Sequence, residues 1–323
     1  MKLYYEHISF LSFYCIQAVS SELYWGRASL YTILTQVNVE VIDIKAGFIG
    51  AGKVGFSLGK YLVENDISVT GYFSRNQQSA EEAARFTDTI CYRDLAHLVD
   101  SSDTLFLTVP DRTISEVWNG MRNLPIENKN ICHCSGSISS TAFFCAEKYG
   151  AYRYSVHPLC AISDKYTSYK ELSKTYFTIE GSPQHLQEMQ NVFCSIGNPV
   201  VMIDSDKKTL YHAAAVMVSN QMAALVEIGT QLLLQCGFER SDAEKALGPL
   251  IEGNAKKIAE VGAIKALTGP IERNDTITVH NHLEMLDEDI RNIYIALSKQ
   301  LVSLAQQKHP DRSYDEMKIE LEN

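Results

Sequence analysis

The sequence predicts an α/β domain built on a mostly parallel sheet and, after it, an all-α domain. Three observations carry this. A β-branched run, Val41 to Ile49, passes straight into a glycine turn; further short apolar runs recur as far as about Asp204; beyond that point the apolar spacing is helical only. The chain has 323 residues, enough for two domains at roughly 150 residues each. With 46% apolar and 21% charged residues, its composition is that of an ordinary globular protein. Its 29 basic against 39 acidic residues leave a formal net charge of −10, which argues against nucleic acid or an anionic membrane surface as a partner. The eight cysteines are dispersed along the chain, as reduced thiols of a cytoplasmic protein are.

Residues 1–40 read as an N-terminal extension. The apolar run Ile8 to Val19 invites a secretory-signal reading, against which stand Glu6 and His7 where a signal would be basic. The run is also shorter than the roughly 20 residues a membrane span needs. From Val39 the text becomes regular. Gly50-Ala51-Gly52-Lys53-Val54-Gly55 follows a strand and opens a helical apolar pattern, and a second strand, Ile67 to Phe73, comes at the distance a βαβ unit requires. Each glycine has a separate reason: Gly50 turns tightly, Gly52 lets backbone approach a pyrophosphate, and Gly55 lets helix pack on strand. The helix N-terminus then offers free N–H groups to phosphate. This is the pattern of a Rossmann-like dinucleotide site.

The end of the second strand selects the cofactor. An acidic residue there would bind the ribose 2′-hydroxyl of NAD, but the chain reads Ser74-Arg75-Asn76. A guanidinium beside a hydroxyl suits a 2′-phosphate, so NADP is expected. Strands over Thr104 to Val109 and Asn130 to Cys134 end at Pro110-Asp111 and Ser135-Gly136-Ser137. Ligands of open α/β sheets bind at the carboxyl ends of strands, which puts Val109, Pro110, Ser135 and Gly136 beside the nicotinamide and Ser137 near a substrate. Cys132 and Cys134 face one side of their strand and His133 the other, and neither they nor His280-Asn281-His282 have metal-ligand spacing, so no metal is expected. Further strands are predicted over Tyr152 to Val156, Tyr176 to Glu180 and Val200 to Ile203, with a helix over Gln184 to Ile196.

Three long helices follow: Lys207 to Cys236, Ser241 to Val261 with Ser241 as N-cap, and Thr276 to Gln307. The first is apolar almost all round, which predicts burial on several sides in a domain or dimer core. Boundaries at 41–205 for the nucleotide domain and 206–323 for the helical substrate and dimerisation domain follow.

The glycine motif, the Ser-Arg-Asn turn, His157-Pro158, Tyr211-His212-Ala213-Ala214-Ala215 and Leu267-Thr268-Gly269-Pro270-Ile271-Glu272-Arg273-Asn274-Asp275 resemble a family of NADP oxidoreductases in which a Rossmann-like domain joins a helical domain of unknown function. The resemblance runs from about residue 45 to 310. The family is similar in architecture to pyrroline-5-carboxylate reductase, 3-hydroxyisobutyrate dehydrogenase and prephenate dehydrogenase. It implies a helical domain of the 6-phosphogluconate dehydrogenase C-terminal type, a homodimer formed through it, and hydride transfer to or from a small polar metabolite. Where the family usually has glycine this chain has Asn274, a residue that also tolerates the left-handed conformation.

The proton donor is sought residue by residue. The lysine that lies just before an asparagine in 3-hydroxyisobutyrate dehydrogenases is absent, since Val216 and Met217 precede Asn220. His157 is the first candidate, because histidine titrates near neutrality and a similar His-Pro in prephenate dehydrogenases touches the substrate hydroxyl. His212 is the second, and Asn220 an orienting amide in an apolar helix. Thr268 stands at a rigid turn, and Arg273 with Asp275 reads as a structural ion pair or a carboxylate-binding pair. Two rival readings stay open: a prephenate dehydrogenase-like enzyme, and an NADP-binding partner protein without turnover.

Overall fold

The computed structural model describes residues 44–322; the N-terminal extension and its signal reading lie outside them. The chain divides between Ala215 and Val216 into two compact units.

The first unit holds an eight-stranded sheet in the order β3-β2-β1-β4-β5-β6-β7-β8. The strands are β1 (Ala46–Ile49), β2 (Val69–Phe73), β3 (Ile90–Cys91), β4 (Thr104–Leu107), β5 (Asn130–His133), β6 (Tyr152–Pro158), β7 (Phe177–Gly181) and β8 (Val200–Met202). Every neighbouring pair is parallel except β6 with β7. The central strands β1 and β4 are buried at every residue, so they read as continuous apolar runs, as strands covered on both faces do. Their side chains alternate between two cores. Phe48 and Phe106 go to one with Phe56, Tyr72 and Tyr154; Ile49, Leu105 and Leu107 go to the other with Trp118, Ile131 and Phe143. The covering helices are α1 (Lys53–Glu64), α2 (Gln77–Thr87), α3 (Leu95–Ser101), α4 (Ile114–Met121) and α5 (Leu186–Ser195). The sixth strand runs further than the sequence indicates. Its pairing with β7 sets His157 opposite Thr178 inside the ladder, so His157 is part of the strand and does not follow it.

The predicted helix from 207 to 236 is two helices, α6 (Lys208–Val218) and α7 (Asn220–Gln235). At the break, the Ser219 hydroxyl donates to Asn220 Oδ1 at 3.0 Å, the local competition with backbone bonding that makes such residues poor helix interiors. The second unit continues with α8 (Arg240–Val261), α9 (Ala263–Ala266), α10 (Pro270–Arg273), α11 (Thr276–Met285), α12 (Glu288–Lys308) and α13 (Asp315–Glu320). Ser241 is not the cap of α8. The helix already starts at Arg240, with Glu239 in the N-cap position and no side-chain cap; Arg240 is tied to Glu227 at 2.8 Å and Glu244 at 3.2 Å. The expected helix over 276–307 is likewise divided, because Asp287 accepts from the Ile290 amide at 3.0 Å and starts α12 afresh. A core of Ile271, Val279, Leu283, Val302, Ala305, Tyr314, Met317 and Leu321 holds α10 to α13 together.

Within the single chain the apolar helix is not buried as a domain-core helix would be. Lys208 is the buried residue of α6 and Thr230 that of α7; Met217 and Val218 are exposed, at 61% and 74%. Its apolar girth faces outward in the single chain.

Candidate nucleotide and active site

The glycine turn has the geometry its spacing predicts. Gly50 sits at φ +105°, and a side chain there would come within 2.7 Å of the Thr108 carbonyl oxygen. At Gly55 a Cβ would meet Thr108 Oγ1 at 2.4 Å and the Gly50 carbonyl oxygen at 2.7 Å, so strand and helix touch through it. Gly52 is different: the nearest atom to its missing Cβ is 3.8 Å away, which leaves the approach to the start of α1 open. Gly52 is the N-cap of α1 and makes no side-chain cap bond; Lys53, Val54 and Gly55 form the first turn, whose amides lack an intrahelical acceptor, as a phosphate site needs.

Beside this turn lies a cavity of about 490 Å³ lined by Gly50, Ala51, Gly52, Ser74, Arg75, Asn76, Ser79, Thr108, Val109 and Pro110, with Ile49, Phe73, Leu95, Val117 and Gly120 completing the wall. Arg75 is the one charged residue of that lining. The Asn76 side chain is committed elsewhere: it caps α2 by accepting from the Ser79 amide at 3.3 Å.

Past Pro110 the strand ends carry a polar cluster. Asp111 Oδ2 accepts from Ser135 Oγ at 2.7 Å and from Ser137 Oγ at 3.0 Å, and Ser135 Oγ accepts in turn from the Ser137 and Ile138 amides. These bonds tie down the loop after β5, in which Gly136 lies. A Cβ on Gly136 would lie 2.8 Å from His157 Nε2 and 2.8 Å from His212 Cδ2; the fold thus brings the two candidate histidines to the same glycine. His157 Nδ1 is 2.7 Å from the Tyr211 hydroxyl. His133 is fully buried, its Nδ1 accepts from the Ser135 amide at 3.2 Å, and its ring lies against Phe143, on the sheet face opposite Cys132.

Burial sets the charge states here. It pushes His157 down to about 3, helped by the positive charge of Lys208, and His133 down to about 4. Burial also raises the Cys134 thiol to about 12. His157 is therefore neutral at physiological pH, which corrects the expectation of a histidine titrating near neutrality: its surroundings suit a hydrogen-bonding group better than a proton shuttle. Asp111, Tyr211 and Lys208 were missed as site residues. The signal for the last two was the i, i+3 spacing that sets them on one helix face with His212 beside them.

In the helical unit the predicted residues stand apart from one another in role. Asn220 is exposed at the start of α7, so it is not a buried amide in need of a partner. Thr268 and Arg273 are exposed. No Arg273–Asp275 ion pair forms among the described residues; Asp275 instead caps α11, taking the Thr278 amide on Oδ1 at 3.1 Å and the Thr278 hydroxyl on Oδ2 at 2.7 Å. A helix N-terminus uses the carboxylate better than an exposed guanidinium does. Asn274 adopts φ 60°, ψ 38°, the left-handed geometry expected of it. Glu272 was not singled out, yet it anchors this corner: its side chain meets His309 and Lys308, and its carbonyl oxygen accepts from Arg312 and Tyr314. His280 and His282 are exposed and pair with Glu320 and Tyr294.

An open glycine turn, a cavity beside it and a polar cluster at the strand ends are the features of a Rossmann-like fold of the kind found in NADP oxidoreductases. Residues 45–131 match the family described as NADP oxidoreductase coenzyme F420-dependent, and residues 175–301 match a domain of unknown function, DUF2520. The two matches follow one another along the chain. A Thermotoga maritima protein of known structure is 26% identical, aligned over 81% of this chain and 99% of its own, with a TM-score of 0.65. A candidate NADP oxidoreductase from Bacteroides fragilis is 24% identical over 82% and 100%, with a TM-score of 0.63. Pyrroline carboxylate reductase from Plasmodium falciparum, solved with NADP bound, shares the fold at 14% identity over 83% and 97%, with a TM-score of 0.53. No curated protein matches the chain. Among the described residues no helix is long and apolar enough to cross a membrane.

Proposed function

We propose that this protein is an NADP-dependent oxidoreductase that transfers a hydride to or from a small polar metabolite. The observation that carries the reading is the cavity against the glycine turn, whose single charged lining residue is Arg75. No carboxylate stands there to hold an unphosphorylated ribose, and a guanidinium beside Ser74 suits the 2′-phosphate. In this reading Gly50 to Gly55 take the pyrophosphate, Ser74 and Arg75 the 2′-phosphate, and Val109, Pro110, Ser135 and Gly136 border the nicotinamide. Bound NADP supplies the hydride acceptor or, reduced, the donor. Of this chain's own groups, His157 bonds the substrate oxygen, Tyr211 orients His157, and His212 and Ser137 flank the same loop.

The reading carries with it a cytoplasmic protein that forms a homodimer through its helical unit, where the exposed apolar residues of α6 and α7 need cover. Fluorescence titration with NADPH and NADH tests binding, and absorbance of the reduced cofactor against a panel of oxo and hydroxy metabolites tests turnover. NADPH is expected to bind the more tightly and at least one metabolite to be turned over. Tighter binding of NADH sinks the cofactor assignment; tight NADPH binding with no turnover across the panel leaves a binding protein in place of the enzyme.

A further inference from the structure

Lys208 is the residue the mechanism has not used. It opens α6, is 1% exposed, and its Nζ has no hydrogen-bond partner. The nearby carboxylates are taken: Glu180 accepts the Ser140 amide and hydroxyl, at 2.6 and 2.7 Å, and Asp111 accepts Ser135 and Ser137. A buried ammonium without an acceptor costs stability, so its presence calls for another explanation. The ammonium lies 5.3 Å from the centroid of the Tyr211 ring, and the imidazole of His157 sits edge-on to the same ring with centroids 5.6 Å apart. Lysine and histidine thus share one tyrosine.

We propose that Lys208 is a positioning residue that holds His157 as a hydrogen-bond donor through Nε2, so that the group this site receives from a substrate is a carbonyl oxygen and not an iminium or protonated amine. The inference rests on the hydride-transfer reading above and deepens it. The titratable and charged groups around Lys208 and His157 are Asp111 after β4, His133 and Cys134 at the end of β5, Glu180 in β7, and Tyr211 and His212 in α6. Of these, Asp111 favours protonation of His157, whereas burial first, then Lys208, His212 and His133 act against it. Lys208 itself, lowered to about 8 by burial, remains mostly charged at neutral pH. Facing a cation, the imidazole stays neutral. In this proposal the Tyr211 hydroxyl, 2.7 Å from Nδ1 of His157, donates to that nitrogen, which leaves the ring proton on Nε2. Nε2 is the atom beside Gly136. Reduced NADP, when bound, would supply the hydride to a carbonyl carbon, and Nε2–H would hold the resulting oxyanion by hydrogen bond until water, leaving as hydroxide, protonated it.

The test is nitrogen NMR of the histidine rings in the full chain, with and without Lys208→Met. Wild-type His157 should be neutral in its Nε2–H form from about pH 5 to about pH 8. Lys208→Met should move its titration midpoint up by about one unit or more, the size one nearby charge supplies, and Lys208→Arg should leave it low. A wild-type ring that is cationic near pH 6 or carries its proton on Nδ1 overturns the proposal, and so does a midpoint that Lys208→Met leaves in place. The wild-type tautomer decides alone if Lys208→Met does not fold. Turnover of a cyclic imine but of no ketone or aldehyde also overturns it. Failure to bind NADPH sinks the functional reading without touching the histidine measurement, which keeps the two separable.

Discussion

Arg75 stands where a carboxylate would select NAD, and its role is open to direct measurement. Arg75→Ala should weaken NADPH by ten- to a hundredfold and leave NADH nearly unchanged, because losing a charged contact to phosphate costs about 1.5 to 3 kcal/mol. Titration of both cofactors checks this, and equal losses count against the assignment. His157 is the second residue to test. Its Nε2 lies at the Gly136 loop with Nδ1 already held by Tyr211, so His157→Ala should keep NADPH binding and lower kcat by about a hundredfold, the usual share of one donor to an oxyanion. Normal turnover in that variant would leave His157 a structural residue and turn attention to His212. Arg75 was legible because its meaning depends on immediate chain neighbours. Lys208 was not, because a lysine at a helix start is ordinarily solvated.

At the level of elements, the segment around Asn274 shows how local chemistry ends one helix and begins the next. Pro270 starts α10, Asn274 stops it in the left-handed region, and Asp275 caps α11. Asn274→Gly and Asn274→Ala both lose the bond that Asn274 Nδ2 donates to the Ser313 carbonyl oxygen at 3.3 Å, but only alanine keeps a Cβ in the left-handed region, so Asn274→Ala should be less stable than Asn274→Gly by about 1 kcal/mol, and chemical denaturation reads the difference. The glycines at 50, 52 and 55, the asparagine and the strand runs were all visible in the text, since each is a backbone demand met by one residue type. Helix ends were less so. Two predicted long helices were divided at Ser219 and at Asp287, where polar side chains bind neighbouring backbone or one another and periodicity carries on unaware of it.

The whole molecule should be acid-sensitive. His133 and His157 are held at about 4 and about 3 when folded, against roughly 6.5 unfolded. Between those values the unfolded chain binds more protons, so stability is fully present above about pH 6.5 and falls as the pH drops below it, by about 1.4 kcal/mol per unit for each histidine. Melting temperature across the range from neutrality to about pH 5 checks the slope, and His157→Ala should make it shallower. Assembly is the second whole-molecule expectation. The exposed apolar residues on α7 and α8, Met222, Leu225, Leu250 and Ile258 among them, should be covered in a dimer with a large apolar interface. Light scattering at micromolar concentration should give twice the chain mass, and a monomer there counts against the dimer.

By itself the sequence determined the class of fold, the mostly parallel sheet, the three distinct uses of glycine at 50, 52 and 55, and the arginine that points to NADP. These are set by backbone sterics and by residues adjacent in the chain. Only the tertiary structure decided that His157 is neutral, that Asp275 is a helix cap, that Lys208 is buried without a partner, and that the apolar helix faces outward. A charge state depends on which groups lie within a few ångströms and how much water is excluded, and Asp111, His133, His157, Glu180 and Lys208 come together only because strands distant in sequence end side by side in the sheet.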